Sequence, residues 1–201
     1  MRKSLLSCLA ALLSVSLAAP ALANELNYAR LCPVADEFTV VCPAGWRASD
    51  SEYAFTSSDN YVWLYLLWND DTCISISKDN LGKKFKGFNL AGATRRKMDE
   101  VYRAYLKVRP GSGKIKTTYL ETTLSYNESA IPFLISRCVG SEYAAKPKDD
   151  QLYYYYEAFT IVDGWRICLM AYSNTQNPRN DAGDADLLAL KDVVSSFALV
   201  K

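Results

Sequence analysis

Short strand-like runs recur along this chain, and over residues 73–77 hydrophobic and polar positions alternate with the period of two that is typical of half-buried β-strands. Turn-forming residues separate the runs, and the clearest case is Asp163-Gly164, a two-residue hairpin signal. The pattern therefore predicts strands over residues 38–41, 52–56, 61–68, 73–77, 116–126, 132–143, 151–162 and 165–173.

Two segments have instead the three- and four-residue spacing of an amphipathic helix. The first covers roughly residues 90–108, and Pro110-Gly111 ends it. Its apolar face consists of Met98, Val101, Tyr102, Tyr105 and Leu106. The second begins near Asp181 or Asp184, either of which can cap it. Its apolar stripe consists of Leu187, Leu190, Val193, Val194 and Phe197.

The first 23 residues have the order of a secretory signal. Arg2 and Lys3 precede an apolar stretch over residues 5–19, and Ala21-Leu22-Ala23 supplies the small-x-small cleavage pattern. The apolar stretch is shorter than the roughly 20 residues that a membrane span needs. We therefore expect cleavage after Ala23, a periplasmic or secreted protein without a transmembrane segment, and one globular domain over residues 24–201.

Both ends of the expected domain resemble the PsbP/DcrB-like domains, a family related to a photosystem extrinsic protein. The stretch Phe38-Thr39-Val40-Val41-Cys42-Pro43-Ala44-Gly45-Trp46 is similar to the family's opening strand with its Pro-x-Gly-Trp turn. The hairpin at Asp163-Gly164 and a final helix closing with Val193-Val194-Ser195-Ser196-Phe197 are similar to its end. The resemblance implies an α+β fold in which a single antiparallel sheet carries helices on both faces, an α/β/α sandwich. It also implies a binding or assembly role. No functional residue of this sequence can be assigned from the family, because the family shares no catalytic motif.

The chain contains no histidine, which excludes several classes of chemistry. Ser-His-Asp and Cys-His catalysis and nearly all zinc, copper and non-haem iron sites require that residue. No P-loop sequence is present either. We therefore expect no catalytic residue, no metal and no cofactor. A hydrolase that uses two carboxylates stays open as an alternative, with Asp70/Asp71 and Asp149/Asp150 as its candidate pairs, although side-by-side acids of this kind are typical of solvated turns.

Five cysteines follow the predicted cleavage site, and an oxidising compartment makes disulfides plausible. Cys32 with Cys42 is the expected bridge, because it would tie the N-terminal segment to the first predicted strand. The odd count leaves at least one thiol unpaired within the chain. In a simple strand meander, Cys138 and Cys168 lie two strands apart, which is too far for a disulfide. The pairing of Cys73, Cys138 and Cys168 is otherwise left open.

Charge is unevenly distributed along the chain. Residues 78–116 contain twelve basic and three acidic residues, whereas the whole chain is nearly neutral. On the first predicted helix Arg96, Arg103 and Lys107 share the stripe opposite the apolar face, and Lys83, Lys84 and Lys86 precede that helix. These six residues are the predicted partner-binding face. The alternative is internal compensation, in which Asp99 and Glu100 pair with arginines along the helix.

Three functions fit these features. The favoured one is an exported, non-enzymatic binding or assembly module of the bacterial envelope, whose basic face meets an envelope protein or an anionic headgroup surface. Nucleic acid is not expected, because few aromatic residues are interleaved with the basic ones. The alternatives are a secreted effector or immunity-type protein that binds a cognate protein, and the histidine-free carboxylate-dependent hydrolase. The oligomeric state is not predicted.

Overall fold

The computed structural model describes residues 28–34, 37–49, 55–58, 61–108, 115–142, 152–173 and 184–200. Within them the chain forms eleven β-strands, two α-helices and two 3₁₀ turns. The strands are β1 (Arg30–Val34), β2 (Phe38–Cys42), β3 (Arg47–Ala48), β4 (Phe55–Ser58), β5 (Tyr61–Trp68), β6 (Thr72–Asn80), β7 (Ile115–Tyr126), β8 (Pro132–Glu142), β9 (Leu152–Val162), β10 (Trp165–Ser173) and β11 (Ala198–Leu199). The helices are α1 (Arg95–Val108) and α2 (Asp184–Ser195), and the 3₁₀ turns are Lys83–Phe85 and Leu90–Gly92. The predicted signal over residues 1–23 lies outside the described residues.

Eight strands form an antiparallel sheet in the order β3-β5-β6-β10-β9-β8-β7, with β4 also paired to β5. The predicted hairpin between β9 and β10 is confirmed. Its turn residues, Asp163 and Gly164, have φ angles of 47° and 85°. Glycine adopts such angles freely, and here a side chain would also place its Cβ 3.0 Å from the backbone oxygen of Gly82.

A second sheet joins the two ends of the described chain. It has three strands in the order β1-β2-β11, so the C-terminal strand pairs with a strand near the N-terminus. The Ser196 hydroxyl accepts a hydrogen bond from the Val41 N–H at 2.8 Å, and the Val200 N–H donates to the Glu37 oxygen at 2.9 Å. These bonds fix the small sheet against the end of α2.

The two helices pack in different apolar cores. Residues of α2, the small sheet and one face of the large sheet share the first core, whose fully buried members include Phe38, Ile74, Leu169 and Leu190. Residues of α1 and both 3₁₀ turns share the second core with Phe159 and Cys168 of the large sheet, and we call this core the α1 core. Neither α1 nor α2 has the length and apolar character needed to cross a membrane.

The predicted fold class is wrong. The described chain is mainly β, with two sheets and only two α-helices, and it is not an α/β/α sandwich built on a single antiparallel sheet. The error has a physical cause: β1 and β11 are short strands that exist through pairing with β2, and such long-range pairing leaves little trace in the local pattern of residues.

Candidate binding surface

The segment after β6 presents its lysines around one buried anchor. Phe85 is 2% exposed and packs in the α1 core. The Leu81 N–H donates to the Gly164 oxygen at 2.9 Å, which ties the segment to the hairpin between β9 and β10. While Phe85 points inward, its neighbours Lys83, Lys84 and Lys86 are exposed.

Helix α1 brings arginines to the surface because its opposite side is anchored in the core. Val101 and Tyr105 are buried beneath the helix. The Arg96 side chain is 87% exposed, and Arg103 is exposed as well. Lys107 lies in α1, but its side chain lies outside the described residues.

Glu100 is the point at which the two segments meet. It accepts a hydrogen bond from Lys97 Nζ at 3.2 Å, and Arg96 Nε lies 3.8 Å from its other carboxylate oxygen. The Lys97 hydrogen bond, together with the positive charges of Lys97, Lys84 and Arg96, lowers the pKa of Glu100 below its ordinary value. Since Lys84 comes from a 3₁₀ turn and Arg96 from α1, the segments form one surface. We call it the basic layer: Lys83, Lys84, Lys86, Arg95, Arg96, Lys97 and Arg103.

Part of the positive charge of the predicted segment is neutralised within the protein. Lys78 pairs with Glu37, and its side chain is only 14% exposed, so it lies apart from the basic layer. Lys86 Nζ lies 3.3 Å from an Asp163 carboxylate oxygen, and both of these side chains are exposed. Four members of the basic layer make no ion pair with any of the described residues: Lys83, Lys84, Arg95 and Arg103.

A buried ion cluster that the sequence analysis missed lies between α1 and the large sheet. Arg166 donates from Nη1 to Asp79 at 3.0 Å and from Nη2 to Glu157 at 2.5 Å. Its guanidinium carbon lies 4.3 Å from the ring centre of Tyr105 and 4.6 Å from that of Phe159. The cluster therefore neutralises and encloses a cation inside the α1 core.

The Arg166 cluster contains two carboxylates, and the hydrolase alternative also requires two. Asp79 and Glu157 are at most 1% exposed, and both bind the guanidinium of Arg166. Burial alone would lower the pKa of Arg166, but Cys168, Glu157 and Asp79 outweigh it and hold that pKa well above its ordinary value. Neither carboxylate can reach a substrate, so the cluster stabilises the fold and offers no acid–base pair.

The acids that the sequence analysis proposed for a hydrolase do not form a site in the described residues. Asp70 and Asp71 are exposed in the turn between β5 and β6, where the Asp71 N–H donates to the Asn69 side chain at 2.9 Å. Asp149 and Asp150 lie outside the described residues. Across the described ranges, no group of three or more Cys, Asp or Glu side chains is placed to hold a metal ion.

Cys32 and Cys42 lie on adjacent strands of the small sheet. Cys32 is opposite Val40 and Cys42 is opposite Arg30, so the two cysteines are diagonal neighbours on one face. Both are buried, and both are free thiols in this structure. A hydrogen bond from the Cys42 thiol, with smaller contributions from Tyr65 and Arg30, lowers the pKa of Cys32 to about 6 although burial opposes it. The same bond and burial raise the pKa of Cys42.

The remaining cysteines are also free thiols. Cys138 lies on β8 and Cys168 on β10, and β9 lies between these strands. The predicted separation of Cys138 and Cys168 by two strands is therefore confirmed.

Comparison with known proteins places the fold. No protein-family model matches the chain, and no curated protein matches it in sequence. Among solved structures, the chain is similar to cyanobacterial PsbP (CyanoP) from Synechocystis sp. PCC 6803, a solution structure. The alignment has a TM-score of 0.52 at 15% sequence identity and covers 86% of this chain and 93% of that one. At this identity the likeness concerns the fold alone, and at that level the resemblance in sequence is confirmed: the chain has a PsbP-like fold.

Proposed function

We propose that this chain is an exported, non-enzymatic binding or assembly module that meets an anionic partner through its basic layer. One observation carries the proposal: Lys83, Lys84 and Arg103 are exposed and make no ion pair with a described residue. Residues 83–103 contain seven basic and only two acidic residues. Unneutralised charge of one sign attracts a surface of the opposite sign over about 8 Å at physiological salt.

The proposal includes the route and extent of the mature protein. Residues 1–23 act as a signal that is cleaved after Ala23, and residues 24–201 form one domain in the periplasm or outside the cell. The order of charged, apolar and small residues at the N-terminus supports the export step. The core that α2 shares with both sheets supports a single domain.

The proposed partner is an envelope protein with an acidic surface or an anionic headgroup surface. We test these two sources with vesicles of phosphatidylglycerol or of phosphatidylcholine, and with crosslinking of the mature protein in its native envelope. The test variant carries Lys83→Glu and Lys84→Glu. The control carries Arg47→Glu, Ala44→Glu and Ser129→Glu, which change the net charge by the same four units at exposed residues outside the basic layer.

Capture of phosphatidylglycerol vesicles, or of one crosslinked protein, is expected to be lost in the test variant and kept in the control. It is also expected to weaken as salt is added, because screening shortens the range of the attraction. Equal loss in both variants would indicate a net-charge effect, and unchanged capture in the test variant would exclude the basic layer. Either result contradicts the proposal.

We also propose that Cys32 and Cys42 form a disulfide after export. Their places on one face of adjacent strands bring the two side chains together, and the lowered pKa of Cys32 supplies the thiolate that the reaction needs. The Cys32 thiolate attacks a disulfide-containing oxidant of the compartment and forms a mixed disulfide. Cys42, after losing its proton, then displaces the oxidant, which leaves reduced as a dithiol. The bridge would close the hairpin of β1 and β2.

A further inference from the structure

Strand β7 forms one edge of the large sheet. It is twelve residues long and pairs only with β8 within the described part of the chain. Proteins usually protect long edges with prolines, charges or bulges. No proline occurs in Ile115–Tyr126, although a bulge interrupts the pairing between Tyr119 and Glu121. The edge therefore presents backbone N–H and C=O groups that another strand can bind.

The side chains of this edge are more apolar than those of a protected one. Leu120 is 48% exposed, Leu124 is 37% exposed and Tyr126 is 58% exposed. An exposed apolar group of this kind at a strand edge is typical of a protein-binding site.

A cleft of about 200 Å³ lies beside the same strand, on the face that carries α2. In the pairing with β8, Glu121 is opposite Arg137 and Thr123 is opposite Ile135. Among the lining residues, the apolar ones are Leu124, Ile135, Tyr156 and Leu187, and the charged ones are Glu121, Arg137 and Lys191.

The size and charge of the cleft identify its occupant. Pockets for drug-sized ligands have about 300–1,000 Å³, so this cleft suits a single large side chain. Lys191 is exposed at this cleft and makes no ion pair with a described residue, so an acidic group is favoured beside that side chain. Arg137 is held in place by the ring of Tyr154, whose centre lies 5.7 Å from its guanidinium carbon.

We propose that β7 binds an extended polypeptide segment of a partner protein as an additional strand. The segment places one apolar side chain in the cleft against Leu187 and an acidic side chain near Lys191. Its backbone pairs with the outer edge of β7, which is the mode called β-augmentation. The proposal does not depend on the basic layer, which belongs to the α1 side of the large sheet.

The test uses a random library of short linear peptides displayed on phage and selected on the mature chain, residues 24–201. We expect the selected peptides to alternate in hydrophobicity and to carry one large apolar residue next to an acidic one. Binding of a selected peptide should slow amide hydrogen exchange in β7. Two methylated peptides are compared, one with its odd-numbered and one with its even-numbered backbone nitrogens methylated. Only one of the two should lose binding, because only every second N–H group of the bound peptide faces β7.

Two adjacent leucines on α2 give a matched pair of variants. Leu187 lines the cleft, whereas Leu188 is 61% exposed and is not among its lining residues. Leu187→Lys should weaken peptide binding by at least about tenfold, and Leu188→Lys should leave it unchanged. If Leu187→Lys impairs folding, Lys191→Glu takes its place, because Lys191 is exposed and its reversal repels the acidic residue of the peptide.

Three results would overturn the proposal. The selection could enrich no peptide, or the enriched peptides could bind the Leu187→Lys and Lys191→Glu proteins as well as the parent. The protein could also form a dimer in solution that Leu187→Lys dissociates, which would assign the edge to a second copy of this chain. The Lys83→Glu, Lys84→Glu variant, which disrupts the basic layer, should bind the peptide as well as the parent does. Failure of the basic-layer proposal can therefore be told apart from failure of the β7 proposal.

Discussion

Arg166 stabilises the α1 core only because two carboxylates accompany it. Its side chain is 0% exposed, and an isolated charge in that position would cost far more free energy than the surrounding packing returns. Asp79 lies directly opposite it on β6, and Glu157 reaches it from β9. Glu157 also accepts a hydrogen bond from the Tyr119 hydroxyl at 3.3 Å, which connects β7 to the cluster. Three strands thus meet at this cation, and β7 is connected to it through Glu157.

Replacement of Arg166 by methionine tests this account. The variant leaves Asp79 and Glu157 buried without their cation, so its free energy of unfolding should fall by about 3–5 kcal/mol in urea denaturation. Adding Asp79→Asn and Glu157→Gln to Arg166→Met removes both uncompensated charges and should restore most of that loss. A loss below about 1 kcal/mol for Arg166→Met alone would mean that the cluster contributes little.

Cys32 is expected to titrate in the range of neutral pH. Folding lowers its pKa from 9.0 to about 6, so the folded protein holds a thiolate where the unfolded chain holds a thiol. The resulting stabilisation is fully present above the unfolded pKa and is lost as the pH falls towards 6. Thiolate absorbance in the ultraviolet should therefore rise with a midpoint near pH 6 in the reduced protein.

Two variants assign that midpoint. Cys32→Ser should abolish the absorbance step, and Cys42→Ala should move its midpoint upwards because the donated hydrogen bond is lost. A step that survives Cys32→Ser belongs to another thiol and contradicts the assignment. Under oxidising conditions the step should vanish, and peptide mapping should find Cys32 linked to Cys42.

At the scale of elements, repeated local pattern was predictable and long-range pairing was not. The apolar runs over residues 61–68 and 165–173, which turn residues bound, coincide with β5 and β10. The predicted first helix starts too early, because the Asn89 side chain accepts the Ala91 N–H at 3.0 Å and opens a separate 3₁₀ turn. The helix proper begins at Arg95. Strand β1 includes Pro33, and β11 has only two residues, so neither has a local strand pattern.

The same distinction applies to the functional surfaces. The lysines and arginines between positions 83 and 103 are close in sequence, so local composition alone was enough to identify them as a surface. The Arg166 cluster combines positions on three strands, and its members are neighbours only through the sheet order. Charged residues inside otherwise apolar strands, such as Glu157 and Arg166, were the one available indication. The cleft likewise depends on the packing of α2 against β8 and β9, which no local pattern specifies.

At the scale of the whole molecule, the two proposed surfaces belong to different faces of the large sheet. The basic layer covers the α1 core, whereas the cleft beside β7 opens on the side of α2 and the small sheet. A module with two independent surfaces can join two partners, which is what an assembly role requires. That arrangement needs a rigid connection between α2 and the large sheet, because Leu187 and Lys191 of the cleft lie on α2 and its other lining residues lie on that sheet.

Phe197 is the residue that provides this connection. It is fully buried between α2 and β11, and its ring centre lies 4.7 Å from that of Phe38 in the small sheet and 5.3 Å from that of Phe133 in the large sheet. Phe197→Ala should lower the free energy of unfolding by about 3–5 kcal/mol, because it leaves a cavity beside the rings of Phe38 and Phe133. Native-state hydrogen exchange should show protection falling equally in β2 and β10, which is what the proposed single domain predicts for two sheets that unfold together. Leu199→Ala, at a 40% exposed position two residues away, is the control and should change both little. Faster exchange in β2 with unchanged protection in β10 would mean that the small sheet opens separately and that residues 24–201 are not one cooperative unit.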